Sequence, residues 1–302
     1  MSNNHSYFQY DNHSAEWERV LHDPDYQKMG QTWLRTDTLD AWRHARMREP
    51  LRAIIQNDPQ ANWLTIGDGR FGTDAHYLLA SGVKEVHCSD VSDALLKIGH
   101  EKGFIKEFSA QNAEDLTFPD NTFDYVYCKE AFHHFPRPYI ALYEMFRVAK
   151  KAVFLIEPRD TFIDQTPLGA IIYGFKKIFL RKKDPAPAFE AVGNFVYAIS
   201  EKELEKFLLG MHYTYIAFTG CNDEYIDGVE YVAENPVDVA GVKIKSRVLK
   251  KIRKMNFYCK IGTQKTGVLT AALFKEPPTQ HMIDNMEKLG WRVKRLASNP
   301  YL

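Results

Sequence analysis

Three glycines, Gly67, Gly69 and Gly72, fit the spacing G-x-G-x-x-G in the stretch Ile66-Gly67-Asp68-Gly69-Arg70-Phe71-Gly72. Glycine there removes the side chains that would keep a ligand off the backbone, and a helix starting just behind turns its N–H groups toward polar or anionic atoms. Asp90 stands 23 residues after Gly67, close to the separation of about 20 at which an acid reaches ribose hydroxyls in a nucleotide-binding βαβ unit. An aspartate also caps helices well, here the run Asp93 to Ile98, so its ligand reading comes from the glycine turn before it. The pair predicts a nucleoside-containing ligand and no particular reaction.

A second group lies further on. His133 and His134 follow an apolar run, and imidazole titrates near neutrality, which suits a general base for a hydroxyl proton. The alternative is that one histidine packs and the other caps the helix after Pro136. Neighbouring histidines also suggest a metal, but they point differently and no third ligand accompanies them, so no metal is expected. Glu157, beside Arg159 and Asp160, reads as an acceptor-binding group or an alternative base. Glu130 and Lys129 lie near the same edge, and Lys129 could equally shield a cofactor.

The elements that must hold these residues alternate. Trp63 to Ile66 reads as a buried strand, and Ala75, Leu78 and Leu79 resume at helical spacing after the turn. Val86 to Asp90, Phe104 to Phe108, Tyr125 to Cys128 and Ala152 to Ile156 read as further strands, with a helix over Tyr139 to Val148. Strands alternating with helices imply an α/β fold with a parallel sheet covered on both faces.

With these elements come Asn112-Ala113-Glu114-Asp115-Leu116, Phe118-Pro119-Asp120-Asn121-Thr122-Phe123-Asp124, Glu130-Ala131-Phe132-His133-His134 and Phe154-Leu155-Ile156-Glu157-Pro158. In this succession the chain resembles the class I S-adenosylmethionine-dependent methyltransferases, closely over Asn62 to Pro158. The resemblance resumes at Ser200 to Leu209, similar to the family's late helix, and at Gly267 to Phe274, similar to its closing antiparallel strand. It implies a Rossmann-like, mostly parallel seven-stranded sheet with helices on both faces. It also implies S-adenosylmethionine as cofactor: Gly67, Asp68 and Gly69 against its methionine part and ribose, Asp90 on the ribose hydroxyls, Val91 against adenine, and Asn112 and Ala113 at the adenine edge. Thr65 stands where the family often has an acid, Asn112 where it often has Asp, and Phe71 where it has the third glycine, which is displaced here to Gly72. Asn112 keeps a carbonyl acceptor.

Three regions lie outside that core: a helical extension over residues 1–60, insertions at 158–199 and 222–262 within a domain at 61–277, and a helix and polar tail at 278–302. Residues 1–29 could be partly disordered or could close over a site. Arg43, His44, Arg46 and Arg48 read as a solvated helix face. The first insertion, with apolar Thr161 to Leu180, basic Arg181-Lys182-Lys183 and stiff Pro185-Ala186-Pro187, reads as a substrate-covering lid or as a hairpin packed on the sheet edge. Its stripe of Ile171, Ile172, Phe175, Ile178 and Phe179 permits peripheral membrane contact, although core packing is the commoner use. The second insertion carries eight basic and no acidic residues from Lys243 to Lys260, read as a solvated amphipathic helix ahead of a phosphate-binding patch.

The whole chain bounds these readings. It has 302 residues, 45% of them hydrophobic, with 39 basic against 39 acidic side chains, so no global field favours nucleic acid. Cys88, Cys128, Cys221 and Cys259 are far apart and read as reduced. Met1 to Asp11 lacks an apolar signal core, no run approaches the roughly 18 apolar residues of a membrane span, and the cytoplasm is expected. The acceptor is a small molecule or, by a looser likeness to bacterial enzymes, a sugar or glycan hydroxyl. An NAD-dependent oxidoreductase would share the glycine turn and Asp90 but leaves Asn112 to Asp124 unexplained. A non-catalytic cofactor-binding module is the third reading.

Overall fold

The computed structural model describes residues 10–180, 188–190 and 194–301. After α1 (Tyr10–His22), α2 (Pro24–Thr32), α3 (Leu39–Arg48) and α4 (Arg52–Asn57), five strands follow: β1 (Asn62–Ile66), β2 (Glu85–Asp90), β3 (Glu107–Ala110), β4 (Phe123–Lys129) and β5 (Ala149–Pro158). Between them run α5 (Thr73–Ala80), α6 (Ala94–Glu101) and α7 (Pro138–Val148). The second half adds α8 (Pro167–Phe179), α9 (Glu201–Gly210), β6 (Tyr215–Cys221), α10 (Val239–Lys260), β7 (Val268–Phe274), α11 (Gln280–Lys288) and β8 (Arg292–Arg295).

The strands form one sheet in the order β3-β2-β1-β4-β5-β7-β6-β8. β1 pairs in parallel with β2 and β4, β2 with β3, and β4 with β5, whereas β7 runs antiparallel to β5 and β6. Val153, Phe154, Leu155 and Ile156 of β5 are all fully buried, as a strand covered on both faces requires. On one face Trp63, Tyr125 and Phe154 pack ring against ring. On the other, Phe132, Leu142, Phe146 and Leu204 close the core.

Two expectations change. The sheet has eight described strands, not seven, because the polar tail contributes β8, antiparallel to β6. Its Arg292, Lys294 and Arg295 hide it from a reading by apolar alternation, and such charge on an edge strand discourages further pairing. The third strand begins at Glu107 instead of Phe104: Ile105 fills the space behind Gly72, and Phe104 stacks on His76 with ring centroids 3.7 Å apart.

The charged face of α3 is also not solvated. Arg43 and Arg48 are buried, Arg48 donating to Asp74 Oδ1 at 2.6 Å and Arg43 pairing with Asp40 and Asp223. Asp40 is three residues from Arg43 on the same helix, but Asp74 and Asp223 lie far along the chain, out of reach of any local pattern. Breaking a buried pair leaves one charge unmatched, so Arg48→Ala should lower unfolding stability by roughly 3–5 kcal/mol. Arg52→Ala, which removes a solvent-facing pair with Glu49, should cost less than about 1 kcal/mol. Urea denaturation of both variants measures the contrast.

Candidate functional site

A cavity of about 830 Å³ opens where β1, β2, β3 and β4 end, the edge at which open α/β sheets bind ligands. Gly67, Asp68, Asp90, Val91, Asn112, Ala113, Lys129, His133 and His134 all line it. Gly69 and Glu157 do not.

The glycine turn is left-handed at Phe71 as well as at two of its glycines. Gly67, Phe71 and Gly72 take φ of 71°, 58° and 78°. Left-handed backbone costs a residue with a side chain about 1–2 kcal/mol, offset here because the Phe71 ring is buried with Val20 and Leu95. Asp68 serves the helix behind the turn: its carboxylate accepts the N–H groups of Asp74 at 3.0 Å and Ala75 at 2.8 Å, and the Thr65 hydroxyl at 3.0 Å. Thr65 thus has a partner in place of the family's usual acid. Burial, and then the charge of Asp74, push Asp68 up to about 7.

Gly69 is missing from the cavity wall because α1 covers it. A side-chain carbon on Gly69 would stand 2.5 Å from the Trp17 indole and 2.8 Å from Asp90 Oδ2. Trp17 is hydrogen-bonded to Asp90, whose Oδ1 also accepts the Ser92 N–H at 3.0 Å; burial pushes its carboxyl up to about 7. The helix is pinned at its start, where Tyr10 donates to Glu114 Oε2 at 2.6 Å beside Arg137. Of the two readings of the N-terminal region, its described part closes over the site. Asn112 spends part of its acceptor capacity locally, its Oδ1 taking the Glu114 N–H at 3.0 Å. One lone pair is left for a ligand.

At the end of β4, Lys129 Nζ lies 3.1 Å from Glu130 and 3.9 Å from Asp74. Glu130 takes φ of 48° without being glycine, a strained conformation of the kind that collects at working sites. Burial opposes its charge, but Lys129 and then His44 hold its carboxyl well below the usual range.

Glu157 is placed differently from the expectation. It is fully buried and does not line the cavity, where an acceptor-binding group is expected. Its Oε1 accepts the N–H groups of Ala131 and Phe132, both at 3.0 Å, and its Oε2 lies 2.5 Å from His133 Nδ1. This leaves Nε2 as the remaining ring nitrogen of His133. Burial alone would lower the His133 pKa, but the Glu157 carboxylate overrides it and raises the value. Burial, with the neighbouring His133, lowers that of His134. Such divergence of two adjacent groups is a recurring mark of acid–base assignment.

The first insertion supplies what the histidine pair lacked. Glu190 lies 2.5 Å from His134 Nδ1, and ligand atoms of His133, His134 and Glu190 fall within 4.8 Å of one another, a set able to hold a metal ion. His13 of α1 stands beside His134, ring centroids 6.2 Å apart. Arg43, His44, Tyr225 and Glu230 line the far wall. Sequence reasoning passed over Trp17, His13, Glu190, Tyr225 and Glu230, which carry no local motif and join the site only through long-range packing. Of the lid, Arg181-Lys182-Lys183 and Pro185-Ala186-Pro187 lie outside the described residues, and no residue of α8 lines the cavity.

Residues 64–156 match the family model described as a methyltransferase domain. Demethylmenaquinone methyltransferase of Anoxybacillus flavithermus is 42% identical over 89 residues, 26% of this chain and 37% of that protein. The chain therefore spans little more than a third of that curated relative's length. Among solved structures, the Burkholderia thailandensis 1,6-didemethyltoxoflavin-N1-methyltransferase, with 1,6-didemethyltoxoflavin and S-adenosylhomocysteine bound, is similar at 14% identity, 92% coverage of both chains and TM-score 0.47. A Thermotoga maritima S-adenosylmethionine-dependent methyltransferase, described as a possible histamine N-methyltransferase, is similar at 16% identity over 86% of this chain and 98% of its own, TM-score 0.45.

NMR titration of the imidazoles should place His133 above the ordinary value of 6.5 and His134 below it. Glu157→Gln should bring His133 down. A raised folded-state pKa contributes stability that is fully present below the unfolded value and is lost as pH rises through the folded one. Unfolding free energy should therefore fall across that window in the parent and less so in Glu157→Gln.

Proposed function

We propose that this protein, whose residues 64–156 match a methyltransferase-domain model, uses S-adenosylmethionine to methylate a hydroxyl group of a small molecule or sugar, with His133 as the base. When bound, the cofactor supplies an electrophilic methyl group on a sulfonium. The residues of this chain do the rest: hold donor and acceptor in line, keep water out, and take the acceptor's proton.

The observation that supports the reading is His133 on the cavity wall backed by the buried Glu157 carboxylate. Nδ1 faces a buried carboxylate, so Nε2 is the nitrogen available to a hydroxyl, and the imidazolium formed on taking the proton is stabilised by Glu157. The same carboxylate fixes the ring through the backbone of Ala131 and Phe132. Asp90, at the end of β2, suits a pair of ribose hydroxyls, and Gly67, Asn112 and Ala113 continue the wall from there. Asp40, Glu130, Tyr225 and Glu230 add carboxylates and a phenol on the side of α3, a donor and acceptor set fitted to a polyhydroxyl acceptor such as a sugar or glycan.

Titration with S-adenosylhomocysteine by calorimetry should give saturable binding and titration with NAD none. Asp90→Ala should weaken the former by roughly 1.5–3 kcal/mol, the scale of a hydrogen bond to a charged group. Unchanged affinity in the folded variant removes Asp90 from the site.

With a panel of sugars and phenols as acceptors, His133→Ala should lower turnover by roughly 10²–10⁴-fold while cofactor affinity holds. His134→Ala should cost much less. A base must be unprotonated to act, so the parent rate should rise with pH through a pKa above 6.5. Turnover unchanged by a chelator separates this base from a metal held by His133, His134 and Glu190. Normal rates in both histidine variants favour transfer by alignment alone to an amine, and cofactor binding without turnover on any acceptor favours the non-catalytic module.

A further inference from the structure

The apolar stripe of α8 is not used in the core. No residue of the helix is buried; Ile171 is 70% and Ile178 73% exposed, with Leu168, Phe175 and Phe179 also open to solvent. A side-chain carbon at Gly174, in mid-helix, would meet no atom within 4 Å. Phe175 and Phe179 pack against each other along the helix, ring centroids 4.5 Å apart. Leaving so much aliphatic and aromatic surface in water is costly, which calls for something that covers it.

Charge says what. α8 contains no acidic residue and carries Lys176 and Lys177 in its last turn. It springs from the turn that ends α10: Thr166 Oγ1, at its N-cap, donates to the Gly262 carbonyl at 2.6 Å. α10 holds eight basic and no acidic side chains, and Arg247, Lys250, Arg253, Lys254 and Lys260 are exposed along it. Lys251 is neutralised by Glu224. Near the junction α10 and its C-cap residue add two further exposed apolar side chains, Phe257 and Ile261. The exposed hydrophobic side chains of α8 thus lie beside an α10 whose exposed face carries basic and no acidic side chains, in a chain of no net charge. A second copy of the chain would bring like charges face to face.

We propose that α8 and the adjoining end of α10 form a docking surface for an anionic lipid membrane, α8 lying in the headgroup plane with Ile171, Phe175 and Ile178 among the acyl chains. A helix with an apolar stripe and basic flanks binds in this way through buried apolar area plus attraction to anionic lipid, without crossing the bilayer. No described helix is long and apolar enough to cross one. The proposal is independent of which acceptor is methylated.

Co-sedimentation of the full chain with phosphatidylglycerol–phosphatidylcholine vesicles should show binding that fades in pure phosphatidylcholine and in high salt. Ile171→Asp with Phe175→Asp should lower the partition coefficient at least roughly tenfold, the effect of withdrawing large side chains from the interface. Lys254→Glu should lower it less. Val237→Asp, at a 99% exposed apolar position outside both helices, should bind as the parent does, and circular dichroism melts check that every variant folds. The proposal is overturned if the parent stays in the supernatant with anionic vesicles, or if the folded Ile171→Asp, Phe175→Asp variant binds undiminished. A parent that is dimeric by light scattering, binds no vesicles and becomes monomeric in that variant would assign the surface to a second copy instead.

Discussion

The Glu157 carboxylate, with no surface open to water, sits where β5 ends beneath the loop that leaves β4. A buried carboxylate is tolerable only if its oxygens are matched, and here the Ala131 and Phe132 N–H groups and the His133 ring match them. The strand end, the loop backbone and one imidazole are thereby locked to one another. Removing the charge would loosen the loop and release the ring together, so the structural and chemical roles of Glu157 cannot be separated by distance from the cavity.

Around this lock the cavity is walled by charges that compensate in pairs. Arg48 and Lys129 face Asp74, Lys129 also faces Glu130, and Arg43 bridges Asp40 and Asp223. Asp68 and Asp90 are more weakly compensated, and burial raises both toward neutrality. The wall is therefore polar without a strong field of one sign. Such a wall suits a ligand with hydroxyls and a single positive centre better than a polyanion.

The elements that complete the site come from outside the sheet. α1 brings Tyr10, His13 and Trp17, the first insertion brings Glu190, and the second brings Tyr225 and Glu230. Trp17 lies on Gly69 and Asp90, at the edge where the family resemblance puts a ribose. The sheet offers the ligand edge common to open α/β folds, and these peripheral arms give the cavity its individual walls.

By itself the sequence determined the strand–turn–helix at Gly67, the alternation of elements through β5 and the residues at the strand ends. Each of these rests on backbone conformation or side-chain period over a few neighbouring residues. Even Phe71, out of pattern by residue type, takes the left-handed backbone that the turn demands. Tertiary structure decided the rest: that Arg43 and Arg48 are buried and not solvated, that β8 joins the sheet, that Glu157 backs His133 and does not line the cavity, that Trp17 covers Gly69, and that α8 stays exposed. Each of these depends on a contact, or on its lack, across a long stretch of chain. Burial and pairing set the energy of a charged or apolar side chain, and both are properties of the folded neighbourhood, which no local spacing encodes.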